Sequence, residues 1–184
     1  MTPEEKVNQL FAVLATKGQG DYIGEAISQI EHAVQAAQCA ERVGAPDEVV
    51  IAALFHDIGH LLDEGENMGD LGKHDHEGLG AQYMLNLGFS NTVAELIKGH
   101  VKGKRYLTYK HPGYYEKLSD ASKGTLAYQG GPMTADEAAA FEADPLFDWH
   151  LKIRAWDEQA KLENQPMPNM EHYKNICIKL LATV

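Results

Sequence analysis

Val49-Val50-Ile51-Ala52-Ala53-Leu54-Phe55-His56-Asp57-Ile58-Gly59-His60 is the stretch on which the reading of this chain turns. An apolar run leads straight into two imidazoles and a carboxylate. Such a run reads as buried, and ionisable groups enter an interior when they are paired or bind metal. Continued as a helix over residues 49–62, the segment places His56 and His60 four apart on one face. Asp57 then points about 100° away from His56. Neighbouring side chains turned that far apart hold a single ion awkwardly, whereas a carboxylate with two oxygens reaches between two ions. The same residues also read as a capped helix end, stopped by Asp57 and Gly59, and the pair His56-Asp57 alone does not choose between the two.

Composition limits what surrounds this stretch. A chain of 184 residues favours one domain spanning residues 1–184 and buries a core without staples. Cys39 and Cys177 form no CxxC pair, which argues against a disulfide framework or a zinc–thiolate site and fits a reducing compartment. No basic segment followed by an apolar one leads the chain, and no run approaches the length of a membrane span. The expectation is a cytoplasmic protein with no membrane partner. A formal charge of −11 argues against nucleic acid as a partner. It also disfavours an anionic substrate unless local cations or bound metal reverse the field.

Apolar spacing and caps predict an all-α bundle. Thr2, Pro3, Glu4 and Glu5 open a first helix over residues 3–15. Asp21 to Glu25 lead into a long helix ending near Gly44, with Ile27, Ile30, Val34 and Ala37 on one face and His32 within it. Residues 63–73 are polar and glycine-rich, a loop. His74-Asp75-His76-Glu77 opens the next helix, whose small Gly78, Gly80 and Ala81 suit close backbone contact. Ser90 caps a helix reaching Gly99-His100-Val101, followed by the basic cluster Lys102 to Arg105. Tyr128 to Met133 reads as a turn. Helices then follow over residues 134–143, from Pro145 through Asp157, and over residues 170–182. No strand alternation and no internal repeat stand out.

Metal sites in helical bundles take inward side chains from several helices. His32, His56, Asp57, His76, His100 and Asp157 come from five of the predicted helices. Four imidazoles and two carboxylates exceed the needs of one ion and fit two ions bridged by Asp57. Imidazole with carboxylate suits iron, manganese or zinc.

On these residues the chain resembles the HD-domain superfamily, whose H…HD…D pattern falls on His32, His56-Asp57 and Asp157. It is more closely similar to the mixed-valent diiron oxygenases of that superfamily. Asp21-Tyr22-Ile23-Gly24-Glu25-Ala26, Gly99-His100-Val101, Lys104-Arg105-Tyr106, Leu118-Ser119-Asp120-Ala121-Ser122, Tyr128-Gln129-Gly130-Gly131-Pro132-Met133 and Lys152-Ile153-Arg154-Ala155-Trp156-Asp157 carry the likeness, from about Tyr22 to Asp157.

The resemblance implies a single-domain HD helical bundle in which the six residues hold an Fe(II)/Fe(III) pair. Tyr22 would occupy an iron position until substrate displaces it, and Glu25 would move with it to face a substrate amine. His60, Lys104, Ser122, Gln129 and Arg154 would surround a phosphonate, Arg154 binding two oxygens at once. Direct roles in the reaction would fall to Tyr22, Glu25, His60 and Lys104. Plainer roles stand beside these: Tyr22 in packing, Lys104 at a helix dipole, Ser122 as a cap, Gln129 in its turn, Arg154 paired with Glu158. His74, His111, His150 and His172 read as surface or structural.

The implied activity is cleavage of the C–P bond of a 1-hydroxyalkylphosphonate by O2, in organophosphonate catabolism. The favoured substrate is (R)-2-amino-1-hydroxyethylphosphonate, giving glycine and phosphate; N-trimethylated and hydroxymethyl substrates are alternatives. A 2-oxoglutarate-dependent hydroxylase would supply the substrate. A metal-dependent phosphohydrolase with the same ligands and a metal-stabilised regulatory domain are the competing readings.

Overall fold

Gly59 decides how the centre of this molecule is assembled. In the computed structural model, which describes residues 1–22 and 25–183, a Cβ on Gly59 would lie 1.9 Å from the carbonyl oxygen of His76. Ile23 and Gly24 of the motif quoted above lie outside the described residues. Two segments of backbone cross there, and no side chain fits between them.

The helices follow from local chemistry. α1 (Pro3–Lys17) and α2 (Gln29–Arg42) each begin with a capping box, Thr2 with Glu5 and Ser28 with Glu31. α2 therefore starts at Gln29 and does not grow out of Asp21 to Glu25, so Ile27 lies ahead of the helix. The carbonyls of Gly20 and Gly18 accept the N–H groups of Gln29 and Ile30, which the first helical turn leaves unpaired.

α3 (Asp47–Leu54) is buried on all sides from Val49 to Leu54, as a helix apolar all round must be. It stops at Leu54, short of the predicted Leu62. A 3-10 turn, Ile58–Leu61, follows, with Asp57 at φ −103° and ψ 8°. His56 and His60 therefore share no α-helical face. The helix end is real, yet Asp57 caps nothing with its side chain, which leaves both carboxylate oxygens free. A second 3-10 turn, Gly69–Leu71, interrupts the loop before α4 (His76–Leu87).

α5 (Asn91–Lys110) is nine residues longer than the predicted end at Val101, and this corrects the placement of the basic cluster. Gly99 and Gly103 do not end the helix. They let α9 approach: a Cβ on Gly99 would meet His150 Nδ1 at 1.6 Å, and one on Gly103 would meet Arg154 Cβ at 3.0 Å. Lys104 thus stands in a helix interior, buried, and not beyond a C-terminus. α6 (Tyr114–Lys117) is one turn. α7 (Asp120–Tyr128), capped by Ser119, is a helix that the sequence reading missed. α8 (Ala135–Glu142), α9 (Phe147–Gln159) and α10 (Met170–Ala182) complete the order.

The result is an all-α bundle in a single domain, with no β-strand among the described residues. Its main core draws on α1 to α5, α9 and α10. A smaller aromatic cluster, Tyr106 and Phe141 with Met133 and Ala138, joins α5 to α8. No described helix is long and apolar enough to cross a membrane.

The crossing at Gly59 sets a test. Gly59→Ala forces two backbones apart and should cost about 1–3 kcal/mol or more, the range for overpacking. Gly20→Ala, whose Cβ meets nothing closer than 4.0 Å, should stay within about 0.5 kcal/mol. Urea unfolding measures both, and an unchanged midpoint for Gly59→Ala would contradict the crossing.

Candidate metal centre

Six side chains from five segments meet at the middle of the bundle. His32 comes from α2, His56 and Asp57 from the turn after α3, His76 from the first residue of α4, His100 from α5 and Asp157 from α9. His32 Nε2 lies 3.1 Å from His56 Nε2, and Asp157 Oδ1 lies 3.3 Å from the former and 3.7 Å from the latter. His76 Nε2 lies 3.0 Å from His100 Nε2. Asp57 stands between the pairs: Oδ2 is 3.3 Å from His56, and Oδ1 is 3.3 Å from His76 and 3.5 Å from His100. Two groups result, His32–His56–Asp57–Asp157 and Asp57–His76–His100, sharing one carboxylate.

Hydrogen bonds at the far side of the rings show what these groups fit. The Nδ1 of His32, His56 and His100 lies 2.9, 2.8 and 2.6 Å from the carbonyl oxygens of Ala160, Ala53 and Ile97. A carbonyl only accepts, so each Nδ1 carries the hydrogen, and each neutral ring turns an Nε2 lone pair inward. In the His32–His56 pair two such lone pairs face each other at 3.1 Å with no donor between them. A cation turns that repulsion into coordination. Without one, a proton is the alternative: burial opposes charge on His56, but Asp57 and Asp157 outweigh it and raise its pKa well above the ordinary value. Burial also opposes ionisation of Asp57 and Asp157, yet His56 beside the first and Arg154 beside the second hold both well below the usual carboxylate range. The donor set, nitrogen and oxygen without thiolate, fits iron, manganese or zinc.

A small cavity of about 60 Å³ opens over this floor. At roughly 10–15 Å³ per water, it takes a handful of waters or a small polar molecule. Tyr22 stacks on His32 at 3.8 Å, and its hydroxyl donates to Asp157 Oδ1 at 3.1 Å. Burial and the Asp157 carboxylate push the phenol pKa well up, so it stays protonated. His60 stacks on His76 at 3.9 Å and accepts the Lys73 N–H at Nδ1, so its Nε2 is the protonated nitrogen. Burial and the neighbouring His76 lower its pKa to about 3, which keeps the ring neutral.

The opposite wall is cationic. Lys104 Nζ donates to Thr125 Oγ1 at 2.8 Å and to the Ser122 carbonyl at 3.4 Å. Burial and the Arg154 charge lower its pKa to about 8. Arg154 donates to Asp157 Oδ2 at 2.5 Å, Ser122 Oγ at 3.2 Å, Glu158 at 2.8 Å and Tyr114 Oη at 3.1 Å. The Glu158 pair expected on the surface therefore exists, but on a buried arginine. Arg154 is also largely committed, so its expected two-oxygen grip on a ligand is reduced to the N–H groups left over. Gln129 ends α7 and lines the cavity, with its amide oxygen buried and unpartnered.

Glu25 departs from expectation. It does not line the cavity; it is ion-paired with Lys161, which does. Lys161 and Thr125 are cavity residues that sequence reasoning missed. Thr125 follows Ser122 by three, a helical spacing hidden while α7 went unread. Lys161 lies past the end of α9 and carried no sequence signal. His150 is wholly buried away from the centre, packed on Gly99 and 3.3 Å from Asp144, a structural histidine as expected.

A family model described as HD domain matches residues 29–146 of this chain. The chain belongs to the HD-domain family. The HD match includes His32, His56, Asp57, His76 and His100 and stops before Asp157. Similarity to whole proteins extends further. The chain is 40% identical to uncharacterized protein L432 of Acanthamoeba polyphaga mimivirus, over 97% of its own length and 83% of that protein's. It is 37% identical to a 1-hydroxy-2-(trimethylamino)ethylphosphonate dioxygenase (glycine-betaine-forming) of Leisingera caerulea, over 91% and 86%. It is 39% identical to a hydroxymethylphosphonate dioxygenase of Gimesia maris, over 94% and 86%. Within the HD-domain family the chain thus falls in the branch of the dioxygenase enzymes.

The shared carboxylate predicts an asymmetry between two substitutions. Asp57→Ala should empty both metal positions, and Asp157→Ala only the one it faces. Metal analysis of the purified variants after iron loading reads this directly. Full double occupancy in Asp57→Ala would exclude Asp57 as the bridge.

Proposed function

We propose that this protein is a diiron dioxygenase that cleaves the C–P bond of a 1-hydroxyalkylphosphonate, giving phosphate and a carboxylic acid. The observation that carries the reading is one small cavity whose floor carries Asp57, His76, His100 and Asp157 of the histidine–aspartate double site and whose wall is Lys104, Arg154 and Ser122. A dianionic group beside two metal positions is the ligand such a wall neutralises. The reaction balances without a reductant: R–CH(OH)–PO3H2 + O2 → R–COOH + H3PO4. A mixed-valent iron pair bound by the six residues would act as Lewis acid toward the substrate oxygens and supply the redox chemistry with O2.

The protein's own groups then have defined tasks. Lys104 supplies a full positive charge to the phosphonate, and the Arg154 N–H groups left over from Asp157 and Glu158 add directional donors. Ser122, Thr125 and the His60 Nε2–H complete the hydrogen bonds around its oxygens. Gln129 offers its amide to the same ligand. Tyr22, held as a neutral phenol on Asp157, covers the His32–His56 position until substrate displaces it, which keeps O2 from the metal beforehand.

The two dioxygenases among the relatives are named for substrates that share a hydroxyl carbon bonded to phosphorus and differ in the substituent. For this chain we favour a primary ammonium, as in (R)-2-amino-1-hydroxyethylphosphonate giving glycine. Glu25 already accepts an N–H donor from Lys161. Glu25 stands behind Lys161 and off the cavity wall, so a primary ammonium would reach it by displacing Lys161 and replacing that donor, which a trimethylated one cannot do. The hydroxyl next to phosphorus would be installed by a hydroxylase, of which the 2-oxoglutarate-dependent kind is one source.

Two measurements test the reading. Iron-loaded protein given a panel of hydroxyphosphonates should release phosphate in step with O2 uptake. Equal release under nitrogen would turn the assignment to a hydrolase. The second concerns Lys104, faced by Arg154 and Asp157 from α9, by Glu77 from α4 and by Asp57. Its ammonium is present below about pH 8 and lost above it. kcat/KM should therefore fall as pH rises through that value. Lys104→Met should lower kcat/KM by about 1.5–3 kcal/mol, roughly 10–150-fold, and abolish that alkaline limb. An intact limb in Lys104→Met would refute the role.

A further inference from the structure

We propose that Glu77 is the positioning residue of the Asp57–His76–His100 metal position, accepting the Nδ1–H of His76 and so fixing the ring that faces His100. The proposal rests on His76 being a metal ligand and not on the identity of the substrate. His32, His56 and His100 anchor their Nδ1 on main-chain carbonyls. For His56 and His100 that carbonyl belongs to the residue three earlier, in the preceding helical turn. His76 is the first residue of α4 and follows Asp75, which sits in the left-handed region at φ 52°. No helical turn precedes it to offer a carbonyl. Its Nδ1 is buried without a hydrogen-bond partner.

Glu77 Oε2 lies 3.4 Å from that nitrogen and is itself buried without a partner. Two complementary orphans, one donor and one acceptor, stand side by side, and a small turn of either side chain joins them. Buried polar groups without partners cost free energy, so one unmatched pair in contact points to a bond and not to chance. An acid in the first turn of a helix also answers the helix dipole. An exposed acid does that equally well, and the Glu77 side chain is only 16% exposed.

A carboxylate is a stronger acceptor than a carbonyl. A ring backed by a carboxylate donates more strongly to its ion, and such outer partners affect metal affinity by about 10–100-fold. Glu77 makes the two metal positions unequal, because only the His76 ring is backed by a carboxylate. The same carboxylate favours the charged form of Lys104 on the cavity wall, so it links a metal ligand to the cation that meets the substrate.

Cobalt(II) titration of metal-free protein under nitrogen tests this without turnover. Glu77→Leu should bind one ion about 10–100-fold more weakly and leave the other unchanged, and Glu77→Gln, which keeps a carbonyl acceptor, should recover most of the loss. Wild-type affinity at both positions of a folded Glu77→Leu would overturn the proposal, as would equal weakening of both. Should Glu77→Leu fail to fold, Glu77→Gln should still shift the visible absorption of one cobalt ion only, and an unshifted spectrum would overturn it. Selective weakening of one ion supports the role even in protein that turns over no hydroxyphosphonate, a failure that would count against the proposed reaction alone.

Discussion

Imidazole rings choose which nitrogen faces a partner by what holds the other nitrogen. Here three rings are anchored at Nδ1 by main-chain carbonyls, so their Nε2 lone pairs turn inward to a common space. Two carboxylates close the same space. Everything else in the molecule serves this convergence or exploits it. The anchors are backbone atoms of α3, α5 and the segment after α9, so the helices must hold their register to within a few tenths of an ångström for the rings to meet.

That register is set by places where side chains are missing. The turn carrying His56 and Asp57 presses on the start of α4 through Gly59, and α5 presses on α9 through Gly99 and Gly103. The first crossing brings His76 to Asp57, and the second brings Asp157 and Arg154 under Lys104. The end of α3 at Leu54 matters as much. A continuing helix would have spent Asp57 on one face of a cylinder; the 3-10 turn leaves its two oxygens pointing to different pairs of imidazoles.

Much of this was readable in the residues. The apolar run of α3, the helix starts at Thr2 and Ser90 and the helical spacing of α10 gave the bundle, and the six polar residues within apolar faces gave the centre. What escaped depended on contacts between distant segments. Glycines at 99 and 103 look like helix breakers in one dimension and serve as close-approach points in three. α7, with a modest apolar content, hid the helical relation of Ser122 to Thr125. Nothing local in the sequence marks Lys161 or Glu77 as facing a cavity or a ring. The capped-helix and metal-site readings of His56-Asp57 are not rivals. In the folded chain the first makes room for the second.

Where metal sits decides whether these six side chains form a two-ion centre. Diffraction data collected at the iron absorption edge from crystals of iron-loaded protein would locate it by anomalous scattering. We predict two peaks, one among His32, His56 and Asp157 and one between His76 and His100, with Asp57 reaching both. A single peak, or none at these six side chains, would contradict a two-ion centre.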